Sequence, residues 1–156
     1  MTTDGPESPI LHAPGSGLRV LVVDDCRDTT KSLALLLQIQ GHCCCVAHTG
    51  LEALALAREF PPDVVLLDIG LPGMDGCAVA KHLQEESREW RPFLVAVTGY
   101  GQEEDRQRSR EAGIDLHLVK PVDPDQLFRL LDRFHRVLHP PQVVLVSEGV
   151  GSPVGE

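Results

Sequence analysis

The chain has 156 residues, of which 42% are hydrophobic and 24% are charged, and this is enough apolar material for one domain of ordinary size. Its formal net charge of -9 disfavours binding to a nucleic acid, because that affinity comes largely from lysine and arginine. No apolar run approaches the roughly 18 residues of a membrane span, and no basic start precedes an apolar segment, so we expect a cytoplasmic protein that binds neither nucleic acid nor membrane.

Proline and glycine mark the two ends of the chain. Residues 1–17 contain three prolines and three glycines with little apolar patterning, which is typical of a flexible leader. Residues 139–156 begin with a break at Pro140 and Pro141, and we expect this tail to be partly disordered or packed on the body. Residues 18–138 are the predicted domain.

Short apolar runs alternate with helical patterns throughout that domain. The alternation predicts an α/β fold with a parallel sheet covered by helices on both sides and joined by right-handed crossovers. The predicted strands lie near residues 20–23, 43–47, 64–68, 93–97 and 115–119, and the predicted helices near residues 28–40, 51–60, 76–86, 101–112 and 124–138.

Several helix ends carry local signals. Thr49 and Glu52 form a capping-box pattern, and Asp75 and Asp123 each stand where a helix begins. Gly41 follows the first helix at a position that favours glycine. Residues 101–112 offer almost no apolar stripe, so this fourth helix should be weakly docked and free to shift.

The consecutive residues Cys43, Cys44 and Cys45 resemble a metal cluster at first sight. Neighbouring residues of a strand point to opposite faces, so these three thiols cannot converge on one ion. We interpret them as small buried hydrophobic residues. Five cysteines without C-x-x-C spacing also argue against a disulfide framework and suit a reducing compartment.

Four predicted strands end in polar residues: Asp24 and Asp25, then Asp68, Thr98 and Lys120. Because parallel strands share one carboxyl edge, these side chains should converge in one cleft. Any one of them alone is explained as a helix cap or a solvated group, but the joint placement indicates a site. Three clustered carboxylates repel one another without a cation, and their oxygens suit Mg²⁺ or Mn²⁺.

Such a site is suited to accepting a phosphoryl group. Asp68 would attack in line while the metal and the ammonium group of Lys120 neutralise the charge on the transferring oxygens. Thr98 would then hydrogen-bond the new phosphoryl group.

Four sequence motifs contain these residues: Val-Val-Asp24-Asp25, Leu-Leu-Asp68-Ile-Gly-Leu-Pro72-Gly-Met-Asp75-Gly76, Ala-Val-Thr98-Gly-Tyr and Leu-Val-Lys120-Pro121. With the motifs in this order, residues 18–138 resemble the receiver domain of two-component response regulators. The sequences around the third and fourth motifs also resemble those of receivers fused to hybrid sensor histidine kinases.

The resemblance implies a flavodoxin-like sheet of order 2-1-3-4-5 and Asp68 as the phosphoacceptor. The donor would be a histidine kinase or a histidine phosphotransfer protein. Lys120 would bridge the acceptor and the phosphoryl group. The implied Mg²⁺ ligands are Asp25, Asp68, the backbone carbonyl of Gly70 and, through water, Asp24.

The same resemblance implies roles for four further residues. The Lys120–Pro121 peptide bond is expected to be cis. Gly70 and Tyr100 match positions that tune the lifetime of the phosphoryl group. His117 stands where the family usually carries Tyr or Phe as a rotameric switch, so it either swings inward, titrates or remains a solvated strand residue.

The implied mechanism is a shift between two states. Phosphorylation of Asp68 would draw Thr98 inward and reshape the face made of the fourth helix, the fifth strand and the fifth helix. That face would contact an unidentified output partner or a second copy in a homodimer. The domain would be no enzyme beyond catalysing its own phosphoryl transfer and autodephosphorylation.

Three alternative functions would require different residues at these positions. A Mg²⁺-dependent phosphatase of the haloacid-dehalogenase type needs an acid two residues after its nucleophile, where this chain has Gly70. A dinucleotide-binding fold needs a glycine-rich turn after the first strand, where this chain has Asp24 and Asp25. A degenerate receiver that only docks partners would not need the full set of polar strand ends.

Overall fold

The computed structural model describes residues 17–86, 91–99 and 110–140. The predicted leader, the predicted helix over residues 101–112 and the predicted tail lie almost entirely outside these ranges. The described elements, in chain order, are β1 (Arg19–Val23), α1 (Arg27–Ile39), β2 (Cys43–Ala47), α2 (Gly50–Glu59), β3 (Val64–Asp68), α3 (Gly76–Glu86), β4 (Phe93–Thr98), β5 (Leu116–Val119) and α4 (Pro124–Leu138).

The five strands form one parallel sheet in the order β2-β1-β3-β4-β5, so the predicted fold class is confirmed. Helices α1 and α4 cover one face, and α2 and α3 cover the other. No helix of the described residues is long and apolar enough to cross a membrane.

Strand β3 lies at the centre of the sheet and is buried along its whole length. Val64 and Leu66 pack with the helices α1 and α4, whereas Val65 and Leu67 pack with α2 and α3. A strand covered on both faces reads as a continuous apolar run, which is the pattern seen in the sequence. Its final residue, Asp68, is thereby carried to the carboxyl edge of the sheet.

The three cysteines of β2 alternate between the two apolar layers, as predicted. Cys44 packs with the layer of α1 and α4, and Cys45 packs with the layer of α2 and α3. Burial raises the pKa of Cys44 to about 12 and that of Cys45 to about 11. Both thiols therefore stay protonated at neutral pH and behave as apolar side chains.

Aspartates fix two strand starts at the amino edge of the sheet. Asp63 accepts the backbone N–H of Arg19 at 2.8 Å, and Asp115 accepts that of Leu94 at 2.8 Å. Each hydrogen bond satisfies a backbone N–H group near the start of one strand with an acid that precedes the neighbouring strand. Neither role was predicted from the sequence.

The predicted N-caps are confirmed. Thr49 accepts the N–H of Glu52 at 3.1 Å, and the carboxylate of Glu52 accepts the N–H of His48 at 2.6 Å. Asp75 accepts the N–H of Ala78 at 2.9 Å, and Asp123 accepts that of Asp125 at 3.1 Å. Local sequence rules are thus sufficient to set these helix starts.

The end of α1 yields a stability prediction. Gly41 has a φ of 91°, and the N–H groups of Gly41 and His42 close the helix by donating to Gln38 and Leu37. The substitution Gly41→Ala should lower the free energy of unfolding by about 1 kcal/mol, because a Cβ atom disfavours the left-handed conformation. Chemical unfolding measures this loss.

The matched control for that measurement is Gly99→Ala. Gly99 has no positive φ, and an added Cβ at this position would meet nothing within 4 Å. We therefore expect a change in unfolding free energy well below that of Gly41→Ala. Equal losses for the two variants would contradict the explanation from backbone conformation.

Candidate functional site

The carboxyl edge of the sheet gathers most of the polar residues singled out in the sequence. Asp24 directly follows β1, Asp68 and Thr98 end β3 and β4, and Lys120 directly follows β5. The parallel register aligns these ends, since Asp68 pairs with Val97 and Thr98 pairs with Val119. Thr98 is buried, and its carbonyl accepts the N–H of Lys120 at 2.8 Å.

Asp24, Asp25 and Asp68 form a cluster of carboxylates. One oxygen from each lies within 4.8 Å of the other two, and the part of the chain that the structure describes holds no second grouping of this kind. Asp24 is buried and Asp25 is exposed, so the cluster is open on one side. Mg²⁺ and Mn²⁺ prefer carboxylate oxygens and usually keep some water ligands, so this open cluster of carboxylates is suited to either ion.

Lys120 lies beside two of these carboxylates. Its Nζ atom is 2.9 Å from Oδ2 of Asp24 and 3.4 Å from Oδ2 of Asp68. The pKa of Lys120 is raised above its usual value. Partial burial acts in the opposite direction, but the hydrogen bond to Asp24 and the negative charges of Asp68 and Asp24 have the larger combined effect. The ammonium group therefore stays charged at neutral pH.

Asp68 is buried, with 9% of its surface exposed, although less completely than Asp24, with 3%. Its Oδ1 atom accepts the N–H of Gly70 at 3.0 Å, and its Oδ2 atom faces Lys120. Burial raises the pKa of Asp68 above its usual range, and the Gly70 hydrogen bond and the charge of Lys120 oppose that rise only in part. A further cation nearby would stabilise the ionised form.

Asp24 has both carboxylate oxygens engaged within the protein. Oδ1 accepts the N–H of Cys26 at 2.9 Å, and Oδ2 contacts Lys120. The first contact holds the loop that leads into α1. Sequence analysis did not identify this contact with Cys26, because a backbone donor leaves no residue-type signal.

Gly76 is a positioning residue that sequence analysis listed only as part of a motif. Its N–H donates to the carbonyl of Ile69 at 3.0 Å, and an added Cβ would lie 2.7 Å from the carbonyl oxygen of Asp68. The first turn of α3 therefore packs directly against the backbone of Asp68. A glycine at the start of a helix, where a better helix former would be expected, was the available signal.

The remaining predicted positions lie around the cluster. Gly70 is exposed, and a Cβ there would meet only Oδ1 of Asp68, at 3.8 Å. His117 is half-buried on β5 and pairs with Ala96, so it lies on the same face of the sheet as Thr98. The Lys120–Pro121 peptide bond is cis, the isomer that the resemblance implies. Tyr100 lies outside the described residues.

The chain is similar in sequence to known proteins. Residues 20–132 match the family described as the response regulator receiver domain. The chain is 33% identical over 114 residues to protein PilH of Pseudomonas aeruginosa, covering 73% of this chain and 94% of PilH. It is 34% identical over 103 residues to the polar-differentiation response regulator DivK of Brucella ovis, covering 66% of this chain and 84% of DivK.

A solved structure shows the same fold. The chemotaxis protein CheY4 of Vibrio cholerae superposes with a TM-score of 0.72 at 29% sequence identity, covering 76% of this chain and 99% of CheY4. The fold is thus a known architecture, and in open parallel sheets of this kind ligands bind outside the carboxyl ends of the strands.

The burial of Asp68 generates a pH prediction. Because its pKa is higher in the folded chain than the ordinary value of 3.8, the folded state binds this proton more tightly than the unfolded state does. Its contribution to the free energy of unfolding should therefore fall as the pH rises through 3.8, and level off above the raised pKa. Carboxyl-carbon NMR without divalent cations measures the titration directly.

A pair of lysine variants tests the cause of that shift. Lys120→Met should raise the pKa of Asp68 further, because the charge of Lys120 lowers it in the wild type. Lys31→Met, which removes an exposed charge from α1, should leave the titration unchanged. A pKa for wild-type Asp68 at or below the ordinary value would contradict the argument from burial.

Proposed function

This chain belongs to the response regulator receiver domain family, and we propose that Asp68 accepts a phosphoryl group from a phosphohistidine and that the resulting charge reshapes a partner-binding face. The observation that carries the proposal is the convergence of Asp24, Asp25, Asp68 and Lys120 at one edge of the sheet. The donor is a histidine kinase or a histidine phosphotransfer protein, the partners with which receiver domains work.

The transfer step uses the carboxylate of Asp68 as the nucleophile. An oxygen of Asp68 attacks the phosphorus atom, a P–O bond forms, and the P–N bond to the donor imidazole breaks. The imidazole leaves with the electron pair of that bond and is protonated. Lys120, whose Nζ lies 3.4 Å from Asp68, neutralises charge on the acceptor and then on the phosphoryl oxygens.

The proposed metal ligands are Asp25, Asp68 and the carbonyl of Gly70, with Asp24 acting through water. Supporting observations are the 4.8 Å grouping of oxygens and the exposure of Asp25 towards solvent. When bound, Mg²⁺ or Mn²⁺ supplies positive charge next to the transferring oxygens. We assign Asp24 to a water-mediated contact with the metal, because Cys26 and Lys120 already contact its two carboxylate oxygens.

The proposed switch runs from Thr98 to His117. The hydroxyl of Thr98 moves towards the phosphoryl group, and His117, on the neighbouring strand and the same sheet face, follows it. The expected switching face, which combines β5 and α4 with the predicted fourth helix, then changes shape. Leu116 and Val119 point to opposite sides of the edge strand β5 and are 39% and 36% exposed, and they are the apolar residues of β5 that an output partner or a second copy of the chain would contact.

The proposed lifetime of the phosphoryl group depends on residues 70 and 100. Gly70 places no side chain over Asp68, and this leaves the acceptor open to water and favours autodephosphorylation. Tyr100 is the second tuning position by resemblance.

Phosphorylation is tested with a phosphohistidine donor or acetyl phosphate in the presence of Mg²⁺. We expect one acid-stable, alkali-labile phosphoryl group on the wild-type chain, none on Asp68→Asn and none after chelation of the metal. Lys120→Met should lower the rate constant roughly 100-fold, because one charge-stabilising donor is lost from the reacting centre. Lys81→Met, on the exposed surface of α3, is the matched control and should retain the wild-type rate.

The outcomes separate the proposal from its rivals. A folded wild-type chain that takes no label from either donor would be a receiver that only docks its partners. Rapid hydrolysis of added phosphomonoesters, without a label on Asp68, would indicate a phosphatase.

Switching is tested by amide hydrogen exchange in residues 99–120. Adding Mg²⁺ with beryllofluoride, a phosphoryl mimic, should change exchange in this range in the wild type. Thr98→Val should abolish the change beyond the site, since it removes the hydroxyl and keeps the volume. Exchange in β2, at the other edge of the sheet, serves as the internal control. Unchanged exchange in residues 99–120 of the wild type would refute the two-state mechanism.

A further inference from the structure

Two histidines lie side by side at the end of α4, far from the acidic cluster. His135 is in the last turn of α4 and His139 is its C-cap residue. Their ring centroids are 4.7 Å apart, and the ring planes are tilted by 40°. Residues four apart on a helix share one face, so the two imidazoles can approach the same point in solvent.

The surroundings leave these rings available to a ligand. Within residues 17–86, 91–99 and 110–140, no hydrogen bond or ion pair to another described residue engages either imidazole. Asp132 lies one turn earlier, but its carboxylate is held by Arg136 at 2.8 Å. The pair is therefore not a salt bridge with a neighbouring acid, and its only described ring contact is mutual.

We propose that His135 and His139 chelate one divalent transition-metal ion of the Zn²⁺ or Ni²⁺ class. Imidazole nitrogen is a preferred ligand for these ions, whereas the oxygen cluster at Asp68 suits hard cations. In the H-E-x-x-H motif, two histidines four positions apart on a helix bind zinc. His135 and His139 have the same spacing, with His139 at the C-cap of the helix. The carbonyl end of a helix also favours positive charge.

Space for the other ligands exists beside His135. A groove of about 410 Å³ lies between α1 and α4 and is lined by Gln40, His42, Phe128, Arg129, Asp132 and His135. The groove leaves room beside His135 for water molecules that would complete the coordination of the ion. The nitrogen Nδ1 of His42 accepts the N–H of Leu18 at 3.0 Å, so His42 is not one of the proposed ligands.

The proposed ion is independent of the phosphorylation site. His135 follows Pro124, the first residue of α4, by eleven positions, and this corresponds to about 17 Å along the helix axis. By joining two residues of the terminal turn, the ion stabilises the end of α4. The proposal therefore does not rest on phosphoryl transfer, and either can fail without the other.

Paramagnetic broadening by Ni²⁺ tests the site on the full chain. With Mg²⁺ in large excess to saturate the carboxylates, Ni²⁺ should broaden the amide signals of residues 131–140 in the wild type. His139→Gln should weaken the binding of Ni²⁺ by roughly 100-fold. An ion held by His135 meets the imidazole of His139 at a high effective concentration, and this advantage is lost when one of the two histidines is removed. The matched control is His82→Gln, which replaces an exposed histidine of α3 that lies 4.0 Å from Glu85, and this variant should bind Ni²⁺ as the wild type does.

Thermal unfolding provides a second readout, because an ion that binds only the folded chain raises the unfolding temperature. Zn²⁺ should raise it in the wild type and in His82→Gln, but not in the double variant His135→Gln/His139→Gln. The metal-free unfolding temperature of each variant shows that it is folded. The absence of broadening at residues 131–140 in the wild type, or its persistence in the double variant, would overturn the proposal.

Discussion

The ion pair between Lys120 and Asp24 constrains the whole site. Lys120 follows the edge strand β5, and Asp24 follows β1, so the 2.9 Å contact joins chain segments separated by two intervening strands. It also places a positive charge between acids that would otherwise repel one another. Because the side chain of Asp24 is almost fully buried, removing Lys120 would leave a confined negative charge without its partner.

Aspartates accept backbone N–H groups at both edges of the sheet. At the amino edge, Asp63 and Asp115 do so singly and fix the start of neighbouring strands. At the carboxyl edge, Asp24 and Asp68 do so as members of a group of three carboxylates that lies beside Lys120. The grouping of charges, and not the hydrogen bonding of any single acid, distinguishes the candidate site.

The sequence was sufficient for the sheet order, the helix caps and the set of residues at the carboxyl edge, because each follows from a local pattern or from a motif. Thr49 and Asp123 cap helices through atoms two or three residues away. The contact between Gly76 and the backbone of Asp68 could not be predicted in this way, since it depends on how closely α3 approaches β3. The spacing of His135 and His139 is local in the sequence, but the engagement of Asp132 by Arg136, which leaves this acid unavailable to the histidines, is seen only in the structure.

Burial of Asp68 links the stability of the fold to the chemistry proposed for it. Confinement raises the pKa of the carboxyl group, so its ionised form is less stable in the folded protein than in water. In the proposed function, a divalent cation at the cluster would relieve this penalty, because positive charge favours the ionised form of Asp68. The exposure of Asp25 leaves an open side through which such a cation would enter.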